Sequence, residues 1–493
     1  MNKLNIIFLF FAALLFTACD LERIPFTDLE NTESFKTLKD AAKHNNGLYA
    51  QMRDRVYGGD MFLPDIQSDL LHASLVCEDA SSVYRWNFID NDENIASVWA
   101  GCYKAIANVN NFLDNAHLIE VETDSEKSQL ENYIGEAYFF RAFYYEKLIK
   151  RYARDYEPET AAADPGVPLS LHFDLKAELP RASVSEVYEQ ILADLDSAQA
   201  KISLAGYQGA IRVSKDCATA LRARVYLTMH RYGDAVAEAD KLISRKIYRI
   251  VSTVKDLTDV WHKDDIKESI LMLMCIKDTE KAATNGIFWS YYYVTKEYTP
   301  YYLPEKWVVD LYDEADIRKQ VYLSKPLIKI DGKTYNDVYL INKYPGNPLL
   351  VMDTLNSNFQ HKPKVFRIAE AHLIKAEALA WSGKDAESLA ALNVLRTARG
   401  LTALTNISGE ALKQEIRNER TREFLCEGVR LDDLKRWKMG VVRGEPQEAS
   451  IVTLGSDADA LNRPAGDNKM VWAIPSRDLI ANPALKGSQN PGW

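Results

Sequence analysis

The sequence predicts a mainly α protein in which helix pairs support an irregular, loop-rich lobe with minor β structure. Three observations predict it. Apolar residues recur at three- and four-residue steps over most of the chain. Alanines stand where paired helices would touch, and an interval of roughly residues 250–360, rich in Tyr, Pro, Asn and Gly, breaks the helical period.

The first element is not part of that fold. MNKLNIIFLFFAALLFTACD opens with Lys3 and an unbroken apolar run from Ile6 to Phe16. A membrane-spanning helix needs about 20 apolar residues, so this run is too short. A charged start, a short apolar run and small residues before Cys19 describe an export signal. Thr17-Ala18-Cys19 resembles a lipobox, with Phe16 where that pattern favours Leu. The expected division is a signal peptide over 1–18, a lipidated tether over 19–32 and one helical domain over 33–493. Cys19 is then the lipidated residue, palmitate among its acyl chains. Each buried acyl CH₂ contributes about 0.8 kcal/mol, so several chains hold a protein on its membrane. Acidic residues directly after Cys19 (Asp20, Glu22, Asp28, Glu30) resemble signals for the outer face of the outer membrane.

Composition narrows the partners. A net charge of −10 leaves no electrostatic footprint for nucleic acid. Past Cys19, Cys77, Cys102, Cys217, Cys275 and Cys426 are odd in number, scattered and without C-x-x-C spacing. They read as buried thiols, not as a disulfide framework.

Along the chain, residues 131–150 set Ile134, Ala137, Tyr138, Arg141, Tyr145 and Leu148 on one helical face. Ser183 and Glu186 form a capping box ahead of the apolar stripe Val187, Ile191, Leu195, Ala198. Residues 218–244 and 367–400 each read as two helices around a turn, at Arg231–Gly233 and Ser382-Gly383. Such Ala-lined pairs resemble tetratricopeptide units, although a Pro-containing insertion (Pro158, Pro165, Pro168, Pro180) makes the array irregular. These tetratricopeptide-like pairs would form the scaffold, and irregular segments on a scaffold tend to carry ligand contacts.

Inside the irregular interval, GIFWSYYYVTKEYTPYYLPEKW (286–307) holds nine aromatic residues in twenty-two. If 287–294 is a strand, Trp289, Tyr291 and Tyr293 share one face while Phe288, Tyr292 and Val294 share the other. One of those faces would be core.

Residues 416–437, IRNERTREFLCEGVRLDDLKRW, place Glu419 and Glu423 four apart on one helix face. Two carboxylates could serve a glycosidase. Arg417, Arg420, Arg422 and Arg430 crowd them, however, and guanidinium pairing lowers a carboxyl pKa where a general acid needs it raised. The expectation is an ion-pair network between the last helices. No H-E-x-x-H or G-x-S-x-G occurs, and Gly332-Lys333-Thr334 lacks the first glycine of a P-loop. Asp90, Asp92 and Asn94 begin like a calcium loop, but Ile95 and Gly101 stand where its Gly and Glu belong, so a solvated turn is expected. No cofactor or metal is expected, and no catalysis.

Glu419-Arg420, Glu423-Phe424, Glu427-Gly428, Arg430, Asp433-Leu434 and Arg436-Trp437 resemble the signature of the SusD/RagB family of outer-membrane nutrient-binding lipoproteins. LPRASVSEVYEQILADL (179–195), Asp316 with Arg318, and the closing IPSRDLIANPALKGSQNPGW extend the resemblance across nearly the whole chain. It implies helix pairs packed against an irregular lobe and a partner, a SusC-type TonB-dependent transporter, which the lipoprotein caps. It also implies a non-catalytic ligand, a glycan or in some members a peptide, captured at the cell surface. Trp289, Tyr291, Tyr292 and Tyr293 fall where such proteins often contact ligand. Tyr84, Arg85, Trp86 and Asn87 offer a second candidate, two aromatic faces beside a guanidinium and an amide. The polar neighbours of Trp86 predict its exposure. The alternatives are an oligopeptide carrier of the same architecture and a helical-repeat assembly protein.

Overall fold

The computed structural model describes residues 34–77, 81–206, 208–280, 290–292, 297–351, 359–453 and 462–493. The lipobox with Cys19 and the proposed tether therefore lie outside the described residues.

Helix starts follow local side-chain chemistry. Thr37 and Asp40 form a capping box at α1 (Leu38–Arg55). After the short α2 (Gly59–Gln67), α3 (Glu93–Asn115) begins on Asp92, whose carboxylate accepts from Asn94 N–H and from the Ser82 hydroxyl. The acidic stretch at 90–94 is thus a helix cap and not merely a solvated turn. Thr123 and Glu126 box the 29-residue α4 (Asp124–Tyr152), and Ser183 and Glu186 box α5 (Val184–Lys201), the latter as the sequence predicts. Each box satisfies N–H groups that the first turn leaves unpaired.

The two helix pairs are present. α6 (Lys215–Thr228) and α7 (Tyr232–Ser244) are antiparallel neighbours. Their break falls at 229–231, where His230 has a φ of 58°, slightly earlier than the predicted Arg231–Gly233 turn; Gly233 already lies inside α7. Past α8 (Val254–His262) and the single-turn α9 (Ile317–Tyr322), the second pair is α10 (Ile368–Trp381) with α11 (Asp385–Ala398), turning at 382–384 as predicted. α12 (Gly409–Glu423) and α13 (Arg430–Arg436) follow, and shorter helices span Ser81–Tyr84, Lys306–Asp310 and Ser476–Ala481. Packing order is not chain order. α4 lies among α1, α3 and α5; α5 touches α6; α7 packs on α10; and α10 packs on α11 and α12. The chain between α7 and α10 is therefore an insertion looped out of a continuous row of helices.

That insertion is the irregular lobe. Its neck is the antiparallel ladder of β2 (Ser269–Met272) with β8 (Lys364–Arg367), while β1 (Leu71–Ala73) pairs β5 (Tyr302–Pro304) to tie the lobe to the N-terminal segment. A four-stranded sheet runs in the order β7 (Lys333–Tyr335), β6 (Ile328–Ile330), β4 (Glu297–Thr299), β3 (Ser290–Tyr292). β6 and β7 meet at Asp331-Gly332, both with positive φ (49° and 74°), the two-residue turn whose twist matches that of paired strands. The Gly332-Lys333-Thr334 stretch is thus part of a hairpin.

One cluster of buried apolar residues extends from Phe35 to Leu485 through helices and lobe alike, with a second around α10, α11 and α12. Cys102, Cys217, Cys275 and Cys426 are buried free thiols and Cys77 is partly buried, as expected. No helix among the described residues is long and apolar enough to cross a membrane.

Candidate functional site

The two spaced carboxylates are locked. Glu419 and Glu423 on α12 are both fully buried. Glu423 accepts from Arg367 at 2.7 Å, from Arg399 at 2.8 and 3.0 Å, and from Arg318 at 3.1 Å. Glu419 pairs with Arg422 at 2.7 Å and Arg318 at 2.8 Å, and Glu268 closes the network through Arg399 and Arg367. Burial alone would raise the Glu423 carboxyl. Arg399, Arg367 and Arg318 outweigh it and hold the group well below its ordinary value. Glu419 is held down in the same way, with Arg318 and Arg422 outweighing burial. An ionised, water-excluded carboxylate cannot protonate a leaving group, so these two acids supply structure.

The 81–88 stretch divides by alternation. Tyr84, Trp86 and Phe88 are buried while Arg85, Asn87 and Ile89 face water. The expected exposure of Trp86 is therefore corrected: it is 1% exposed, with Arg463 5.4 Å from its ring centroid and Lys469 donating to its carbonyl. Tyr84 lies under Arg443 at 3.9 Å, within hydrogen-bond reach of His72, with the Tyr302 ring 6.0 Å away. Neither ring presents a face to a ligand in this conformation. Arg85 and Asn87 remain accessible.

Of the aromatic run, Trp289 and Tyr293 lie outside the described residues. Tyr291 and Tyr292 belong to β3, the former opposite Tyr298 and the latter opposite Glu297. The parallel bridge Tyr298–Ile328 and the pair Tyr335–Ile328 continue the Tyr291 ladder across the sheet, and Ile328 is fully buried. Tyr292 falls in the alternate ladder with Ser290, Glu297, Thr299, Lys329 and Thr334; Lys329 and Thr334 are exposed, Lys329 pairs with Glu297 at 3.4 Å, and Leu327 beside them is 41% exposed.

The described side chains of this ladder offer hydroxyl, ammonium and carboxylate groups, and Tyr292 stands in their register. Such polar groups can hydrogen-bond the hydroxyls of a sugar. Sequence reasoning singled out Tyr292 but not Lys329 or Thr334. The available signal was the run IKI-DG-KTY, an alternating strand, a hairpin turn and a second strand. Among the described residues no group of His, Cys, Asp and Glu could hold a metal ion.

With this geometry, comparison with known proteins is informative. The profile described as SusD family matches residues 248–493, and the profile described as starch-binding associating with outer membrane matches residues 22–227. A SusD-like protein of Formosa agariphila is 24% identical over 401 residues, covering 72% of this chain and 73% of that protein. A SusD superfamily protein from Bacteroides thetaiotaomicron has the same fold, with a TM-score of 0.78 at 22% identity over 92% of this chain and 100% of that one. A SusD-like carbohydrate binding protein from Bacteroides vulgatus gives 0.75 at 21% identity over 92% and 98%.

Proposed function

The chain belongs to the SusD family, and from that premise we propose that it captures carbohydrate at the outer membrane without catalysis and delivers it to a SusC-type TonB-dependent transporter. The observation that carries the reading is the lobe ladder that exposes Lys329 and Thr334, in whose register Tyr292 and Glu297 stand. The buried state of Glu419 and Glu423 supports the non-catalytic part. Lipid on Cys19 would hold the protein on its membrane, facing the cell exterior; Cys19→Ser is expected to shift it from the membrane to the soluble fraction, and unchanged fractionation would refute the anchor.

Calorimetry of the lipid-free protein against a panel of polysaccharides, oligosaccharides and peptides tests the ligand. Tyr292→Ala should weaken glycan binding by about 1–3 kcal/mol, the size of one buried aromatic contact. Trp86→Ala should lower stability instead. A panel that binds normally to Tyr292→Ala overturns the site, and a panel that does not bind at all favours an assembly role. A peptide ligand is the second reading, favoured because β3 ends the sheet among the described residues and offers backbone groups for strand addition.

A further inference from the structure

A second site lies away from the sheet, where α4 passes between the end of α1, the start of α2, β8 and the 424–432 turn. These elements enclose a cleft of about 130 Å³. Trp261, Tyr344, Phe143 and Phe424 supply its apolar lining, while eight Lys and Arg side chains stand against five Asp and Glu. The excess is three positive charges.

Acids behind the lining absorb part of it, Asp264 against Lys364 and Glu423 with Glu268 against Arg367, and leave the excess around Arg55, Lys147 and Lys362. Asp60 serves both Arg55, at 3.1 Å, and Lys147, at 3.6 Å. Asp432 is likewise shared between Lys150, at 2.9 Å, and Arg151, and Glu146 also meets Lys150 at 2.9 Å. Arg224 is matched by Glu370, and Lys364 turns to Asp264. Lys362 is half-buried in the lining, and its ammonium has no ion-pair partner among the described residues. Burial, only partly offset by the nearby acids, pulls Arg151 down to about 10 and lowers Lys150 as well. Positive charge held against an apolar lining is costly unless an anion joins it.

We propose that this cleft binds a tetrahedral oxyanion, a sulfate or phosphate either free or as the ester of a saccharide, held by Lys362, Lys147 and Arg55. The small volume favours a compact, multiply charged group over a neutral sugar. Lys362 and the Arg55–Lys147 pair, which shares the one Asp60 carboxylate, line the same cleft, and their ammonium and guanidinium groups give the charge-assisted hydrogen bonds that such an ion takes. This site does not depend on the sheet surface, and Tyr292→Ala should leave it intact.

The test is thermal unfolding and calorimetry of the lipid-free mature protein in sodium sulfate and sodium phosphate against sodium chloride at equal ionic strength. Sulfate also stabilises proteins by exclusion from their surface, but that effect does not saturate and is the same in variants. A saturable rise in Tm is expected in the wild type, with affinity reduced about tenfold or more in Lys362→Met. Lys147→Met, checked for native circular dichroism, should show the same loss. Glucose 6-sulfate and glucose 6-phosphate, run beside the inorganic ions, separate the sources: tighter binding of an ester identifies a saccharide substituent, and tighter binding of the free ion identifies an inorganic ligand. No saturable response, or an equal response in wild type and both variants, overturns the proposal.

Discussion

Glu423 shows how a single residue's role depends on what surrounds it. Its carboxylate meets three guanidiniums, from Arg318, Arg367 and Arg399, which come from distant parts of the chain. Removing one partner of a buried pair leaves the others uncompensated, so Glu423→Gln should cost ~3–5 kcal/mol in chemical denaturation. The pH dependence has a definite sign. The folded carboxyl lies below its unfolded value, so its stabilisation is complete above about pH 4–5 and fades as pH falls toward the folded value. The stability gap between wild type and Glu423→Gln should therefore narrow in acid; a gap constant from pH 7 to pH 3 would contradict the assignment. Trp86 teaches the complementary lesson. Its polar neighbours signalled in–out alternation, not a binding surface, since Tyr84, Trp86 and Phe88 point inward and Arg85, Asn87 and Ile89 outward.

At the scale of elements, the stretches that carry the family signature act as couplings between elements. Gly428 follows α12 with a φ of 76°, its N–H donating to Asp65 on α2. A Cβ there would stand 2.3 Å from the Met61 carbonyl oxygen. Gly428→Ala should thus destabilise by about 2 kcal/mol or more, through both a disfavoured backbone and a clash with main chain. A change below half of that would mean that α2 can withdraw from the turn. Arg430, two residues on, clasps Asp69 with two hydrogen bonds of 2.7 and 2.8 Å, and Arg420 clasps Asp433 in the same manner. The first fork ties the start of α13 to the segment that follows α2, and the second ties α12 to α13.

Across the whole molecule, the closing segment is stitched to the Pro-containing stretch between α4 and α5. Arg181 donates to the Ser488 carbonyl and to Asn490 Oδ1, Asn490 donates to the carbonyls of Tyr152 and Trp472, and Asn482 donates to the Leu179 carbonyl. The Leu179–Arg181 motif and the C-terminal motif, about 300 residues apart, are thus two halves of one contact. A double-mutant cycle of Arg181→Ala and Asn490→Ala should show a coupling of about 1 kcal/mol or more, since hydrogen bonds to a charged group are the stronger kind. Simple additivity would show that the two motifs act independently. The motifs that resemble the family signature therefore build the frame.

The sequence by itself determined the helical class, the paired helices, the α5 capping box, the irregular lobe and the family. Those are written in short-range spacing: a cap lies three residues from its partner, and an amphipathic face repeats within one or two turns. Only the tertiary structure decided which side of each segment meets water. It buried Ile328 beside Tyr298, turned Trp86 inward, and gathered Arg55, Lys147 and Lys362 around one cleft. Burial and net local charge are sums over groups far apart in the chain, and no window of sequence contains those sums.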